Sequence, residues 1–281
     1  MNVLITGAAG FLGRELVAHL LEQGHSVVGL AHSESRSQEI SFSQDNEQLH
    51  IYNLDIANTK HRICQIVKKH NIDFIIHTAA MKHVRICENN PTRAIDVNVV
   101  GTNNIVQAAI ENNVKNVIGI STDKATNPSC VYGVTKYLTE KILLEHGFTV
   151  FQGVNFFFST GSVLDIWDKQ RIQNKPISVS DRNMVRYFVP IGEVVEKIVS
   201  SLDTSREYIF NEKCYRINLH DLSQAYKEYH SYFAQTSYAD ISQEKQEEEL
   251  FYNIDVVNPD IDEIKLMIDD FYQRRTRSSW L

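Results

Sequence analysis

The chain has 281 residues, of which 43% are hydrophobic and 22% charged, and its formal net charge is −7. This length can bury a large core as one big domain or two unequal lobes, and the acidic balance argues against a nucleic-acid-binding surface. No stretch reaches the roughly 18 apolar residues of a membrane span, and the N-terminus runs into a strand rather than a signal peptide; Cys64, Cys87, Cys130 and Cys214 stand apart without a C-x-x-C pair, which predicts a reducing, cytoplasmic setting and no metal site.

The first predicted element is a short apolar strand, Asn2 to Thr6. Gly7-Ala8-Ala9-Gly10-Phe11-Leu12-Gly13 follows, then an amphipathic helix over Arg14 to Gln23. Glycines let the backbone turn tightly and approach a pyrophosphate, and a helix N-terminus adds N–H donors and the positive end of its dipole. The G-x-x-G-x-x-G spacing is not the G-x-G-x-x-G of classical dinucleotide folds. Its place between a strand and a helix nevertheless predicts a nucleotide site. A second strand, Ser26 to Leu30, runs into Ala31-His32-Ser33-Glu34-Ser35-Arg36. An acidic residue directly at that strand end would hold the ribose 2′-hydroxyl of NAD, whereas a nearby Arg accepts a 2′-phosphate. His32, Ser33 and Arg36 therefore favour NADP over NAD, with Glu34 still in reach of a ribose.

Strands at Leu49 to Asn53 and Phe74 to His77 flank a helix over Lys60 to His70. Asp55 is a candidate for the adenine amino group, or else a cap for that helix. A long helix, roughly Pro91 to Asn112, leads to a strand over Val114 to Ile120. The helix carrying Tyr132 runs to about His146, and Thr149 to Asn155 is a further strand. Repeated β–α units predict a parallel sheet with right-handed crossovers. From Phe156 the alternation breaks down. The expected architecture is α/β: a Rossmann-type doubly wound domain over residues 1–155 and a smaller mixed α/β lobe over 156–281, with elements free to interleave. Gln243 to Glu249 reads as an exposed acidic face, and Arg274, Arg275 and Arg277 as a solvated end.

Ser121-Thr122-Asp123-Lys124-Ala125, followed by Tyr132-Gly133-Val134-Thr135-Lys136, carries the chemistry. Tyr132 and Lys136 are four residues apart and share one helix face. An ammonium beside a phenol favours the phenolate, which predicts a lowered phenol pKa and a Tyr132 base. Thr122 and Asp123 fall near the carboxyl end of a strand, where open α/β sheets place their ligands.

These segments resemble an extended short-chain dehydrogenase/reductase. Within that group the chain is most similar to bacterial UDP-N-acetylglucosamine 4,6-dehydratases. His77-Thr78-Ala79-Ala80-Met81-Lys82-His83-Val84 with Cys87-Glu88-Asn89-Asn90-Pro91 resembles that subgroup's H-A-A-A-[ML]-K-x-V…E-x-N-P segment. Asp96-Val97-Asn98-Val99-Val100-Gly101-Thr102 resembles T-N-V-x-G-T. Ser121 to Pro128 with Tyr132 to Lys136 resembles S-T-D-K-A-x-x-P…Y-G-A-T-K. Further on, Gly153 to Val163 aligns with Y-G-N-V-x-G-S-R-G-S-V, but Phe158 replaces the second Gly and Thr160 the Arg. Ser180 to Phe188 resembles T-D-x-x-M-T-R-F-W, with Arg186 on the Arg. Ser242 to Lys245 resembles P-G-E-K, with Ile241 in place of a preceding Arg.

The resemblance implies a nucleotide sugar as partner, a tightly bound NADP and a homo-oligomer. It places Gly7, Gly10, Phe11, Leu12, Gly13, His32, Ser33, Arg36, Asp55, Ile56, Ala79, Ala80, Lys82, Asn98, Tyr132 and Lys136 around the cofactor. It places Met81, Lys82, Asn155, Ser162, Arg186 and Glu244 around the sugar nucleotide. It also implies an internal redox cycle. Tyr132 takes the O4 proton as C4 is oxidised, Lys124 takes the C5 proton and Asp123 protonates the departing C6 hydroxyl. Thr122 stands where such enzymes hold a hydroxyl on the carbonyl oxygen. Burial or the Lys136 charge would suit Lys124 to a base, and burial would keep Asp123 an acid. An epimerase or 4-ketoreductase of the same fold would need only Thr122, Tyr132 and Lys136. A cofactor-binding regulatory protein would need no phenolate.

Overall fold

The computed structural model describes residues 1–32, 47–238 and 254–277. The chain divides into two compact units, one built from Met1–Gly153 with Val195–Phe210, the other from Val154–Val194 with the residues from Asn211 onward. Ser33, Glu34, Arg36, Ile241 and Glu244, which the sequence singles out, lie outside the described residues.

In the first unit the elements are β1 (Asn2–Thr6), α1 (Phe11–Glu22), β2 (Ser26–Ala31), β3 (Leu49–Asn53), α2 (Lys60–Lys69), β4 (Phe74–His77), α3 (Val84–Asn89), α4 (Pro91–Ile95), α5 (Gly101–Glu111), β5 (Asn116–Thr122), α6 (Val131–Glu145) and β6 (Thr149–Gly153). The strands Val3, Leu4, Ile5 and Phe74, Ile75, Ile76 are almost wholly buried, as unbroken apolar runs in a doubly covered parallel sheet must be. Strand β7 (Asn155–Phe156), helix α7 (Val163–Ile172), strands β8 (Ile177–Val179) and β9 (Val185–Val189) and helix α8 (Ile191–Ser200) follow; the chain then returns to the first unit and adds β10 (Tyr208–Ile209). The seven-stranded sheet has the order β10-β6-β5-β4-β1-β2-β3, and its pairs are parallel, as in Val3 against Val27 and Val3 against Phe74. The chain order reverses at β1. The glycine loop therefore leaves the sheet at its switch point, where doubly wound sheets bind ligands. Leu4, Val28, Ile75, Ile105, Val117 and Val150 are part of the core between sheet and helices.

Two predicted elements differ in instructive ways. The expected single helix over 91–112 is α4, a π-helical turn over Asp96–Val100, then α5. The wider turn brings Asn98 inward, to 1% exposure. The strand expected at 114–120 is β5 at 116–122, because Val114 still closes α5 by donating to the Ala109 carbonyl (2.9 Å) and Lys115 donates to Asp73. That shift keeps Thr122 within the strand.

The second unit continues with β11 (Lys213–Asn218), α9 (Leu219–Tyr229), β12 (Thr236–Tyr238), β13 (Asp255–Val257) and α10 (Ile261–Arg277). It holds a mixed sheet, β13-β11-β9-β7, and a parallel pair, β12-β8. Trp167 and Tyr226 are fully buried. Asp168 accepts hydrogen bonds from the hydroxyls of Tyr226 and Tyr272, each at 2.6 Å, and from Arg171 at 3.2 Å, tying α7, α9 and α10 together. Phe158 adopts a left-handed backbone, φ +62°, and its ring stacks on Phe271 at 4.0 Å. Among the described residues no helix is long and apolar enough to cross a membrane.

Candidate active site

The glycine loop fits a dinucleotide on its own geometry. Gly7 sits at φ +67°, and a Cβ there would meet the Thr78 hydroxyl at 2.8 Å and the Ala79 nitrogen at 2.9 Å. No other residue fits that turn without displacing the β4 loop. Helix α1 starts at Gly10 with no side chain capping it, and a helix N-terminus is suited to a phosphate. Gly10, Phe11, Leu12 and Gly13 all lie at this start. Leu12 is only 6% exposed, so its backbone is what it can offer a ligand.

At the next strand ends the structure redistributes the expected roles. Asp55 Oδ1 accepts from the Ala57 N–H at 3.0 Å, and Oδ2 pairs with Arg93 at 2.8 Å. Burial raises the Asp55 pKa, but the Ala57 bond and Arg93 outweigh it and hold the group below its ordinary value. Asp55 thus orders the turn before α2 without capping that helix, whose N-cap is Thr59, and Arg93 is a cation the sequence does not single out. Exposed His32 lies 3.9 Å from Asp55. Ile56 is buried, and its carbonyl receives Asn104 at 2.8 Å.

After β4, Thr78 Oγ1 donates to the Thr6 carbonyl (2.7 Å) and the Ala79 N–H donates to Thr6 Oγ1 (3.1 Å). Ala79, Ala80 and Met81 are half-buried, and Lys82 is exposed. The Asn98 amide clamps this loop. Its Oδ1 accepts from the Met81 N–H at 2.7 Å, and its Nδ2 donates to the Met81 carbonyl at 3.0 Å and to Thr135 Oγ1 at 2.9 Å. Asn98 therefore joins the β4 loop to α6. Single-turn π-bulges recur at functional sites for such reasons. His77, behind the loop, bridges Thr6 (2.7 Å) and Thr102 (2.9 Å).

Helix α6 is set by its N-terminus. Cys130 Sγ accepts from the Gly133 N–H at 3.4 Å, and Glu88 accepts from the Val131 N–H at 2.7 Å. A Cβ on Gly133 would lie 2.5 Å from the Lys124 carbonyl, so Gly133 lets α6 lie against the turn that carries Asp123 and Lys124. In that turn Thr122 Oγ1 donates to Asp123 Oδ1 at 2.7 Å, and Lys124 Nζ pairs with the same oxygen at 3.2 Å. Lys124 was expected to depend on burial or on the Lys136 charge. The structure gives it an ion pair with Asp123 instead, with the Lys124 side chain 37% exposed.

Tyr132 and Lys136 do fall on one face of α6, but the phenol is not lowered. Burial and then the Asp123 charge push the Tyr132 pKa above the ordinary phenol range, against the contact with Thr122. The expectation of a phenolate driven by Lys136 alone is thus overturned by desolvation, which disfavours any charged form. Lys136 is 3% exposed. Burial lowers its pKa to about 8, with Glu140 opposing the shift.

The expected sugar-nucleotide residues Asn155, Ser162 and Arg186 belong to the second unit. Asn155 Nδ2 donates to the Tyr187 carbonyl at 2.9 Å, Ser162 caps α7, and Arg186 donates to the Val185 carbonyl at 3.0 Å. Among the described residues no group of three or more His, Cys, Asp or Glu side chains is arranged to hold a metal ion.

The model of a family described as "Polysaccharide biosynthesis protein" matches residues 3–265. A UDP-N-acetylglucosamine 4,6-dehydratase (inverting) of Campylobacter jejuni is 32% identical over 214 residues, which cover 72% of this chain and 63% of the relative. The chain thus spans less than two thirds of that relative's length. A UDP-glucose 4-epimerase of Rickettsia felis is 28% identical, covering 81% of this chain and 70% of its own. Among solved structures, Pen from Bacillus thuringiensis superposes with a TM-score of 0.85 at 25% identity, over 96% of this chain and 98% of that one. Several epimerase and dehydratase structures of the same fold, at 16–19% identity, contain NAD.

Proposed function

The chain belongs to the polysaccharide biosynthesis protein family, and on that premise we propose that it is a nucleotide-sugar 4,6-dehydratase of the UDP-N-acetylglucosamine type working with NADP. One observation carries the choice of reaction: the Asp123–Lys124 ion pair, 3.2 Å, at the end of β5 beside Thr122. Oxidation or epimerisation at C4 leaves that pair without work. Elimination of water needs a base and an acid together.

The glycine loop and the start of α1 would hold the dinucleotide, which when bound would supply an acceptor for the C4 hydride and its return to C6. Tyr132 removes the O4 proton as C4 becomes a ketone. Burial raises the Tyr132 pKa, so the step needs a cation to offset it, and the proposal gives that role to Lys136, four residues on along the same helix face. The C4 ketone acidifies the C5 proton. Passing a proton from Lys124 to Asp123 converts the ion pair into an amine and a carboxylic acid. The amine takes the C5 proton, and the acid protonates the C6 hydroxyl, which leaves as water. Both side chains then carry the charges they began with, and as the C4 hydride is returned to C6 a proton is restored to C5, balanced by the proton Tyr132 took from O4.

The test is incubation with UDP-N-acetylglucosamine and no added NADPH. The wild type should release a 4-keto-6-deoxy sugar nucleotide. Asp123→Asn and Lys124→Ala should block water loss, by about 10²–10⁴ in rate, while reduced cofactor accumulates. A Lys124→Ala protein with wild-type turnover would overturn the assignment. The likeness to an epimerase over 81% of this chain favours one second reading, a 4-epimerase using Thr122, Tyr132 and Lys136; it predicts a product with its C6 hydroxyl retained. NADP rather than NAD rests on Arg36. Arg36→Ala should weaken NADP by about 1.5–3 kcal/mol, the range for hydrogen bonds to charged groups, and leave NAD nearly unchanged; equal losses would remove the 2′-phosphate assignment.

A further inference from the structure

Helix α6 carries a third charged residue on the face of Tyr132 and Lys136, one turn further on. Glu140 is 4% exposed. Burying a carboxylate is costly unless its oxygens are satisfied, and here three strands satisfy them. Ser121 Oγ from β5 donates to Oε1 in a very short hydrogen bond. Gln152 Nε2 from β6 reaches the same oxygen at 3.5 Å, and the Tyr208 hydroxyl from β10 donates to Oε2 at 3.2 Å. All three partners are donors, the set that an ionised carboxylate accepts; burial still holds the Glu140 pKa above its ordinary value, with Ser121, Tyr208 and Lys136 opposing the shift.

We infer that Glu140 is a positioning residue for the redox step: its carboxylate, fixed by donors from β5, β6 and β10, is the buried counter-charge that keeps the Lys136 ammonium charged. This rests on the proposed redox role of Tyr132 and Lys136. Among the described residues Lys136 makes no ion pair of its own, and Glu140 is the charge that opposes its loss of a proton. The other titratable groups around the pair do not substitute. His77 from β4 is held neutral, its pKa pushed down to about 3 by burial and by Lys136 itself. Tyr208 is a donor to Glu140, and Lys141 adds positive charge. Strands β5 and β6 carry no ionisable side chain. Asp123, Cys87 and Cys130 act on Tyr132, Lys124 pairs with Asp123, Glu88 with the Val131 N–H, Arg93 with Asp55 and Glu111 with Lys60. Arg85 is exposed and Asp96 half-buried on the elements before α5.

The experiment is a pH titration of the full chain labelled with [ε-13C]lysine in the presence of NADP⁺, with the Lys136 resonance assigned through Lys136→Met. In Glu140→Gln, Lys136 should lose its proton at least about one pH unit lower than in the wild type, and Glu140→Asp should restore most of the difference. Single-turnover reduction of NADP⁺ by UDP-N-acetylglucosamine should lose its alkaline limb by the same shift, whereas a merely structural role would lower the rate equally at every pH. An unchanged Lys136 titration in Glu140→Gln overturns the inference. If the wild type reduces no cofactor with any nucleotide sugar, the proposed function fails, and the NMR titration, which needs no substrate, still decides the role of Glu140. If Glu140→Gln does not fold, Glu140→Gln/Lys136→Met decides: recovered folding supports the charge pairing, and continued failure overturns it.

Discussion

The corner formed by β4, β5 and α6 and the segment 155–162 solve opposite problems. The first is an arrangement of polar groups inside a core: Asn98, Thr135, Lys136, Thr139, Glu140 and Gln152 are all 5% exposed or less. The second follows a short strand with aromatic packing, Phe157 and Phe158 at 1% and 4% exposure. Where the sequence keeps the family's residues, the structure spends them on hydrogen bonds that fix α6 and the turn after β5. Where the sequence departs, at Phe158 and Thr160, the backbone keeps a glycine-like φ of +62° and aromatic contacts hold it. The lesson is that the first region has little room for chemical change, because most of its buried polar groups are bound to others. The second segment can change its residues if packing replaces what glycine gave for nothing.

The largest expected effect tests the first region. Tyr132→Phe should remove the group that takes the O4 proton and lower single-turnover cofactor reduction by about 10²–10⁴. Its fold should survive, since the ring remains and the phenol has no buried partner beyond Thr122. Stopped-flow absorbance with UDP-N-acetylglucosamine reads the step. Reduction at wild-type rate would detach the chemistry from α6 altogether.

The second effect is on stability. His77 is fully buried between Thr6 and Thr102, and burial, then Lys136, lower its pKa to about 3. The unfolded chain binds a proton near 6.5 and the folded chain does not. This contribution is therefore complete above pH 6.5 and is lost as pH falls toward 3, at about 1.4 kcal/mol per unit and about 4–5 kcal/mol in all. Urea unfolding of wild type and His77→Gln between pH 7 and 4.5 should show the steeper loss in the wild type. Parallel pH profiles would mean that folding leaves the proton affinity of His77 unchanged.

Legibility follows the range of the interactions. The glycine loop and the Tyr132–Lys136 spacing are local, set within one turn or one helix, and the sequence announces both. The alternating β–α pattern likewise predicts the parallel sheet. The π-helical turn at Asp96–Val100 was not legible, because Asn98 is drawn inward by Met81 and Thr135, 17 and 37 residues away. The pairing of Arg93 with Asp55 spans 38 residues. The partners of Glu140 lie 12, 19 and 68 residues off, so its place one turn after Lys136 could be read from spacing but its donors could not. The phenol of Tyr132 was misjudged for the related reason that spacing reveals a neighbouring charge but not desolvation.

In the second region, Phe271→Ala should remove the ring stacked on Phe158 at 4.0 Å and 1°. Phe271 is 9% exposed. Truncations of this kind cost about 3–5 kcal/mol, read as a lower denaturant midpoint with the slope unchanged. A loss under about 1 kcal/mol would show that the stack does not hold the segment.

The smallest effect separates packing from backbone at Phe158 itself. Both Phe158→Ala and Phe158→Gly delete a ring that is 4% exposed and should destabilise the protein. They differ in the φ of +62°, which an L-residue with a Cβ occupies at a cost of about 1–2 kcal/mol relative to glycine. Elsewhere Gly is the weaker residue, by roughly 0.5–1 kcal/mol against Ala in regular structure. Here the order should invert, with Phe158→Gly more stable than Phe158→Ala by about 1 kcal/mol once the greater chain entropy of an unfolded glycine is set against the relieved backbone. Paired urea titrations measure the difference directly. If Phe158→Ala equals or exceeds Phe158→Gly, the backbone relaxes when the ring is gone, and the aromatic stack is then the cause of the left-handed conformation rather than its compensation.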